Sequence, residues 1–432
     1  MSVARCRQTV LAGGILAMLV KVYTAARTGG VDDVFLFGRF ADAVHRYGPV
    51  MVYGKPVPGV TLPYNHPPLT GLMLVAFYYL QHHLGVSFAF MIRMPSTFAD
   101  LVTTLLVFEL VRSRRPLRDA VVAAIAVSAS PILFIISGYH GNTDPVFVMF
   151  SILSLYLLTV RQFPVLTAVL AGASFACSLS VKIVPIVALP VLLLIAARTG
   201  TRRLLAYLAS SGLVMAVLWL PVVVRNWGPF KTNVLEYHGI SQRQWGIIQL
   251  GRTIGAPHGL LIFLQEPGRF LILLISALVP LVLAWRRPEK SIPAVGLTLM
   301  IFLLLSPATA TQYLSWAAAP ALLAELWSAL AYNLVGGVFL LRVYDSWNRA
   351  HPWHWRRTIA WAHIWSHSQV IQAGVAWGVL FVAVIVSLLP RRNSSVARRQ
   401  AVQEAVIAVD EMNVVLRVPD PVGVGTQSAW SE

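Results

Sequence analysis

Two adjacent carboxylates, Asp32 and Asp33, follow the first long apolar run of the sequence, residues 9–26. Burying a carboxylate in lipid is costly, so we expect the pair at the membrane–water interface, facing a cavity. An ionised carboxylate in that position can accept a proton from an incoming hydroxyl group. The same residues could instead cap the helix that follows, because Asp is a favoured N-cap residue. These two residues alone leave both interpretations open.

Further polar side chains fall between later apolar runs, and we predict that they bind substrate. They are His66, His140, Asn142, Asp144, Lys182, Arg225, Arg243, Gln312 and Tyr313. Structural alternatives exist for several of them. His66 could close a turn, Asn142 and Asp144 could cap a helix, and the Lys182 side chain could extend to the lipid headgroups.

The composition is typical of a membrane protein. Of the 432 residues, 57% are hydrophobic and only 12% are charged, and the mean hydropathy is +0.69. A soluble protein of this length carries about twice that charged fraction. Apolar runs of about 17–22 residues, separated by short basic or Pro/Gly loops, predict an all-α polytopic bundle with about twelve spans. The two cysteines, Cys6 and Cys177, exclude a disulfide framework or a CxxC metal site.

Arginine placement predicts the orientation. The formal net charge of +17 comes from clusters at the ends of apolar runs, a pattern that sets membrane orientation rather than nucleic-acid binding. Because the loop 112–118 is rich in arginine, we place it in the cytoplasm and predict that the apolar run 69–84 does not cross the membrane. The first external loop then contains juxtamembrane helices, including one over 34–46 whose mixed apolar face suits the membrane surface. All the polar clusters named above fall on the extracytoplasmic side.

We predict one membrane domain over residues 1–390 and a basic, disordered cytoplasmic tail over 391–432. The first apolar run has no small-residue cleavage signature, which favours a retained first span. No histidine spacing indicates a metal site, and the sequence indicates no cofactor, although it leaves a divalent metal ion open.

The order of several elements resembles the GT-C superfamily of integral membrane glycosyltransferases. After the acidic pair come Tyr64-Asn-His-Pro-Pro-Leu-Thr70, His140-Gly-Asn-Thr-Asp144, Leu179-Ser-Val-Lys182 and Gln312-Tyr-Leu-Ser-Trp-Ala-Ala-Ala-Pro320. The sequence is similar to the lipid-phosphate-glucose-dependent glucosyltransferases of N-glycan assembly and to bacterial relatives such as the aminoarabinose transferases. The last element resembles one in related mannosyltransferases. The resemblance covers residues 9–200 well and the C-terminal half loosely.

This resemblance implies an enzyme of the plasma (inner) membrane that takes a hexose from a polyprenyl-phosphate sugar. The acceptor would be a lipid-linked glycan, a glycolipid or a protein, and the anomeric configuration would invert. The resemblance implies Asp33 as the general base, because Phe40 stands seven residues later where relatives carry Trp, and leaves Asp32 a secondary role. It makes Asp144 the second external acid and Lys182 a contact to the donor phosphate.

The sequence departs from the family pattern at Asn65-His66, where relatives carry an acidic residue before the proline pair. This departure puts a metal or second-acid role at that position in doubt. The absence of a Gly-rich nucleotide loop agrees with a lipid-phosphate donor. The main alternative is a solute transporter or lipid flippase, which needs ionisable residues in mid-span and internal repeats. Arg93, Asp100 and Glu325 are its few candidates, and a non-catalytic membrane scaffold is a further alternative.

Overall fold

The apolar runs form helices throughout the computed structural model, which describes residues 2–237, 245–307, 309–348 and 366–389. No strand occurs within these ranges, so the predicted all-α class is confirmed. The described residues up to Leu388 form one compact unit. The predicted tail, 391–432, lies outside the described ranges.

The α-helices are distributed over both halves of the chain. The N-terminal half contains, in chain order, α1 (Val3–Arg27), α2 (Asp32–Tyr47), α3 (Pro68–Leu84), α4 (Phe88–Met91), α5 (Met94–Arg112), α6 (Leu117–Ser128), α7 (Pro131–Ile135), α8 (Asp144–Thr159), α9 (Pro164–Val181) and α10 (Leu189–Arg198). The C-terminal half contains α11 (Thr201–Phe230), α12 (Ile247–Thr253), α13 (His258–Gln265), α14 (Gly268–Arg286), α15 (Ser291–Leu305), α16 (Ser315–Ala324), α17 (Leu326–Asn348) and α18 (His367–Leu388). Short π-helical and 3₁₀ segments, Ile136–His140 and Thr311–Leu314 among them, connect some of these helices.

Nine helical segments among the described residues are long and apolar enough to cross a membrane, so the chain is a multi-pass membrane protein. Two shorter apolar helices, Asp144–Thr159 and Val184–Arg198, accompany them. The predicted number of twelve spans is therefore not confirmed as a count. The segment α3, with 17 residues, is not among the nine, and its failure to cross the membrane stays a prediction.

Arginine side chains bind the C-terminal carbonyl groups of several helices at one end of the bundle, which we call the arginine end. The last carbonyls of a helix have no partner within it, and a cation there also complements the helix dipole. Arg198 donates to the last turn of α14 at 2.8 Å, Arg203 to the end of α8 at 3.1 Å, and Arg115 to the last residue of α16 at 3.0 Å. These arginine side chains therefore connect the helix ends and loops that carry them to neighbouring helices.

The helix α2 differs from its predicted position on the membrane surface. Its apolar residues, Val34, Phe37, Phe40 and Val44, are buried in a hydrophobic cluster that also contains residues of the loop before α3 and of α11. The amphipathic pattern is real, but its apolar face packs against protein rather than lipid. This packing fixes the first turn of α2, which carries Asp32 and Asp33.

Polar residues inside the bundle find separate partners. Asp100 forms an ion pair with Lys21 at 2.6 Å, and both side chains are buried. Arg93 donates instead to the hydroxyl and carbonyl oxygens of Thr28, at 2.8 and 2.7 Å. Arg93 and Asp100 lie on one helical face, but two turns of helix separate them by about 10 Å, too far for direct contact.

Candidate active site

Two glycines allow the chain to bring Asp33 beside the segment Ile136–His140. Gly30, before α2, has a φ of +76°, and Gly141, after the segment, has a φ of +85°. A Cβ atom on either glycine would lie 2.6 or 2.5 Å from Cγ2 of Val34. Glycine adopts positive φ without steric cost, so both turns can close around the residue that follows Asp33.

Three side chains donate hydrogen bonds to the same oxygen of Asp33. His140 Nε2 lies 2.9 Å from Oδ2, and the amide nitrogens of Asn142 and Gln312 each lie 3.3 Å from it. Within the described part of the chain, Oδ1 accepts no hydrogen bond. The Asp33 side chain is 26% exposed and lines a cavity. One carboxylate oxygen is therefore held in place, while the other has no hydrogen-bond donor among the described residues.

His140 connects Asp33 to Tyr344 of α17. A carboxylate only accepts hydrogen bonds, so Nε2 of His140 carries the proton in that contact. In the neutral imidazole, Nδ1 then accepts a hydrogen bond from the Tyr344 hydroxyl group, its partner in the structure. The Tyr344 hydroxyl also lies 3.4 Å from Oγ1 of Thr311. Tyr344 thus fixes the tautomer and the orientation of the imidazole that binds Asp33.

These contacts favour the ionised form of Asp33. Burial raises the pKa of its carboxyl group, but attraction and hydrogen bonding from His140, hydrogen bonding from Asn142 and the charge of Lys182 together lower that pKa below its usual value. His66 behaves differently, since burial, aided by the charge of Lys182, lowers its pKa to about 3. At neutral pH the cavity therefore contains an Asp33 carboxylate and a neutral His66.

Asp144 is buried and both of its oxygens are occupied. Lys182 Nζ lies 2.5 Å from Oδ1, and the Trp316 indole nitrogen donates to Oδ2 at 2.8 Å. The Lys182 ammonium also lies 4.5 Å from the ring centre of Tyr313 and 4.9 Å from that of Trp316, within the range of cation–π attraction. Asp144 thus anchors Lys182 beside two aromatic rings.

One short element contacts both aspartates. The 3₁₀ segment Thr311–Leu314 leads directly into α16, and residues four positions apart on such a helical stretch share a face. Gln312 accordingly binds Asp33, while Trp316 binds Asp144. The ring of Tyr313 stacks on that of Trp316 with 4.2 Å between centroids. This element therefore fixes the positions of Asp33 and Asp144 relative to each other.

A cavity of about 500 Å³ opens beside these residues. Its polar wall is formed by Asp33, His66, Asn142, Lys182, Gln312 and Tyr313. Its apolar wall includes Val184, Ile272, Leu273 and Phe302. The His66 ring stacks on Phe37 with 4.9 Å between ring centroids. The cavity lining therefore combines charged and polar side chains with apolar ones.

Most of the predicted site residues come together in the structure. His66, Asn142, Lys182, Gln312 and Tyr313 line the cavity with Asp33, and His140 and Asp144 lie directly behind its wall. Asp32 begins α2 and is half-buried. Arg225 is exposed on α11 and does not line the cavity, and Arg243 lies outside the described residues. Among the described residues, no group of three or more His, Cys, Asp or Glu side chains could hold a metal ion.

The sequence interpretation missed Tyr344 and assigned no role to Trp316. Tyr344 lies in the last turn of α17, which ends at Asn348. Tyr344 is one of several aromatic residues there, and nothing in its local pattern singles it out. Trp316 could have been recognised from its four-residue spacing from Gln312.

Residues 65–226 match the family model described as dolichyl-phosphate-mannose-protein mannosyltransferase. This match confirms the resemblance to the GT-C membrane glycosyltransferases over the segment that contains His66, Asp144 and Lys182. No curated protein matches the chain.

Two solved structures resemble the chain at low overall similarity. One is ArnT from Cupriavidus metallidurans bound to undecaprenyl phosphate, with 16% identity, coverage of 88% of this chain and 76% of that chain, and a TM-score of 0.49. The other is the apo oligosaccharyltransferase of Archaeoglobus fulgidus, with 14% identity, coverage of 89% of this chain and 57% of that chain, and a TM-score of 0.41.

Proposed function

We propose that the chain is an inverting glycosyltransferase that moves a hexose from a polyprenyl-phosphate sugar to an acceptor hydroxyl group on the extracytoplasmic side of the membrane. The acceptor is a lipid-linked glycan, a glycolipid or a protein. The observation that carries this proposal is Asp33, which lines the cavity, accepts three hydrogen bonds at Oδ2 and accepts none at Oδ1 among the described residues. A base fixed in this way is prepared to accept a proton.

In the proposed reaction, Oδ1 of Asp33 takes the proton of the acceptor hydroxyl group. The acceptor oxygen forms a bond to the anomeric carbon as the bond from that carbon to the phosphate oxygen breaks. The bonding electrons leave with the polyprenyl phosphate, and a single displacement inverts the configuration. General-base assistance of this kind contributes about 10²–10⁴-fold to the rate.

Lys182 is proposed to bind the donor phosphate. An ammonium group has three N–H donors, and the contact to Asp144 uses one of them. Asp144 and the rings of Tyr313 and Trp316 hold the ammonium group at the cavity wall. A phosphate oxygen within reach of the remaining N–H groups would form a charge-assisted hydrogen bond. The apolar wall then suits the first isoprene units of the lipid.

The partners of the few ionisable residues inside the bundle argue against a transporter. Asp100 is paired with Lys21, and Arg93 is engaged by backbone and hydroxyl oxygens. Glu325 accepts hydrogen bonds from the backbone and hydroxyl of Ser328 at the start of α17, both at 2.7 Å. These contacts support structural roles for the three residues.

The purified chain in proteoliposomes tests the proposed activity. A polyprenyl-phosphate hexose, with a glycolipid or lipid-linked glycan acceptor, should give a product of inverted anomeric configuration. A nucleotide sugar supplied under the same conditions should give none. Movement of the lipid or the sugar across the bilayer without any new glycosidic bond would refute the transferase and favour a flippase.

Cysteine labelling tests the proposed orientation. In a background without Cys6 and Cys177, Ser113→Cys at the arginine end should resist an impermeant reagent applied to intact cells. Lys55→Cys, in the exposed loop before α3, should react with it. The reverse pattern would place the Asp33 cavity on the cytoplasmic side.

A further inference from the structure

A second cavity, of about 660 Å³, lies at the arginine end of the bundle. Arg114, Arg161 and Arg203 line it, and the three come from the α5–α6 connection, the α8–α9 connection and the first turn of α11. Among the described residues, Glu289 is the only acidic residue in its lining. The cavity therefore collects positive charge from three separate parts of the chain.

Two of these arginines have donor groups available. Arg161 is exposed and forms no hydrogen bond or ion pair within the described part of the chain. Arg203 is only 7% exposed, and its Nη2 atom donates to the carbonyl groups of Leu158 and Val160, both at 3.1 Å. Within the same part of the chain, Nη1 of Arg203 makes no hydrogen bond. A guanidinium anchored through one nitrogen thus retains another for an anion.

Three helix N-termini lie at the same cavity. Pro164, the first residue of α9, and Ser291, the first residue of α15, both line it. Arg203 belongs to the first turn of α11. The N-terminus of a helix carries partial positive charge, although Pro164 itself has no backbone N–H group to donate. These helix ends add to the attraction that the arginines exert on an anion.

We propose that this cavity binds the phosphate headgroup of an anionic membrane lipid. The lining also contains Leu158, Ile195 and Ile292, which suit the glycerol and first acyl carbons rather than a fully hydrated ion. Basic pockets between membrane helices on the cytoplasmic side bind anionic lipid headgroups in this manner. None of the residues that line this cavity lines the Asp33 cavity, so the proposal is independent of the proposed activity.

Lipid titration of the purified full-length chain, followed by native mass spectrometry, tests the site. Phosphatidylglycerol should bind more tightly than phosphatidylcholine, whose choline cancels the phosphate charge. Arg161→Gln should weaken phosphatidylglycerol binding about fivefold, the usual effect of one basic residue at an anionic surface. Because Arg161 is exposed and without a partner among the described residues, the variant should fold normally. Arg118→Gln is the matched control, since Arg118 is exposed at the same end and does not line the cavity.

Several outcomes would overturn the proposal. Equal affinity in Arg161→Gln and the wild type would remove the cavity from lipid binding. An equal loss in Arg118→Gln would reduce the effect to overall charge. Equal binding of phosphatidylcholine would show that the headgroup charge is not recognised. Competition by inorganic phosphate at concentrations similar to those of the lipid would assign the site to a free phosphate.

Discussion

Asp33 is the second residue of α2, and Asp144 is the first residue of α8. Each accepts a hydrogen bond from the segment 311–324, Asp33 from Gln312 and Asp144 from Trp316. Their oxygen atoms are used in different ways. In Asp144, Lys182 occupies one oxygen and Trp316 the other, and the side chain is fully buried. In Asp33, three side-chain donors converge on Oδ2, and Oδ1 has no partner among the described residues.

This difference separates two roles that the residue type alone cannot distinguish. A buried carboxylate with both oxygens filled and a cation at 2.5 Å neutralises that cation and positions it, and a ligand has no route to it. A carboxylate held by one oxygen at a cavity wall keeps its geometry and can still accept a proton. We therefore expect variants of Asp33 to lose turnover, and variants of Asp144 to lose stability and donor binding.

Asp33→Asn should have the largest effect. The amide keeps the shape of the side chain but removes the base, so kcat for sugar transfer should fall by about 10²–10⁴-fold at normal protein abundance. Asp32→Asn is the matched control and should cost less, because Asp32 has no assigned part in proton transfer. Near-normal turnover in Asp33→Asn together with lost turnover in Asp32→Asn would reverse the assignment within the pair.

Asp144→Asn should act mainly on stability. Removing one partner of a buried ion pair leaves the other charge uncompensated and costs about 3–5 kcal/mol of unfolding free energy. Denaturation of the detergent-solubilised variant measures this loss. The double variant Asp144→Asn/Lys182→Met should recover much of the stability but not the donor affinity. A stable Asp144→Asn with a turnover defect as large as that of Asp33→Asn would contradict the comparison.

Lys182→Ala should raise the donor KM more than it lowers kcat, the kinetic sign of lost ground-state binding. A charge-assisted hydrogen bond to phosphate corresponds to an affinity loss of about tenfold to a hundredfold. Steady-state kinetics with a varied concentration of polyprenyl-phosphate sugar provide the measurement. If donor affinity stayed unchanged, Lys182 would serve only to neutralise Asp144.

Tyr344→Phe should have the smallest effect, about two- to tenfold in kcat, the value of one neutral hydrogen bond. Without the hydroxyl group, Nδ1 of His140 can take the proton, and the lone pair of Nε2 then faces the Asp33 carboxylate. The pKa of Asp33 should then rise. As the pH is lowered, the variant should therefore lose activity at a higher pH than the wild type does. A pH–rate profile identical to that of the wild type would limit Tyr344 to packing.

Several features could be predicted from local sequence patterns. Helix α5 ends at Arg112, where the predicted arginine-rich loop 112–118 begins, because apolar length and flanking arginines are local signals. The polar residues around Asp33 and Asp144 could be predicted because polar side chains are rare in this apolar sequence. In the predicted topology they also fall on the same side of the membrane. Gln312 and Tyr313 could be predicted because they begin the last sequence element of the family resemblance.

Pairings between distant residues could not be predicted in the same way. Lys182 was expected to be available for a phosphate, and its ion pair with Asp144 depends on how α8 and α9 pack. The contact from Tyr344 to His140 joins residues 204 positions apart. The apolar pattern of α2 is compatible with contact to lipid and with contact to protein. The structure distinguishes the two, because this face packs in the same cluster as Tyr64 and Phe230.

The pH dependence of the wild-type enzyme tests the central claim most directly, because the acidic limb of kcat/KM reports the pKa of the essential base. Burial lowers the pKa of His66 to about 3 and raises the pKa of Tyr237, which also lines the cavity, to about 12, so neither side chain changes charge near neutral pH. Asp144 is already paired with Lys182 and Trp316.

The measurement is kcat/KM for sugar transfer in proteoliposomes across the acidic range. A base whose pKa lies below the usual Asp value stays ionised until that pKa is reached, so the rate should remain level from about pH 7.5 down to about pH 5. A rate that falls about tenfold per pH unit below about pH 6.5 would show that the essential base titrates well above the usual range of Asp, and it would contradict the role of Asp33.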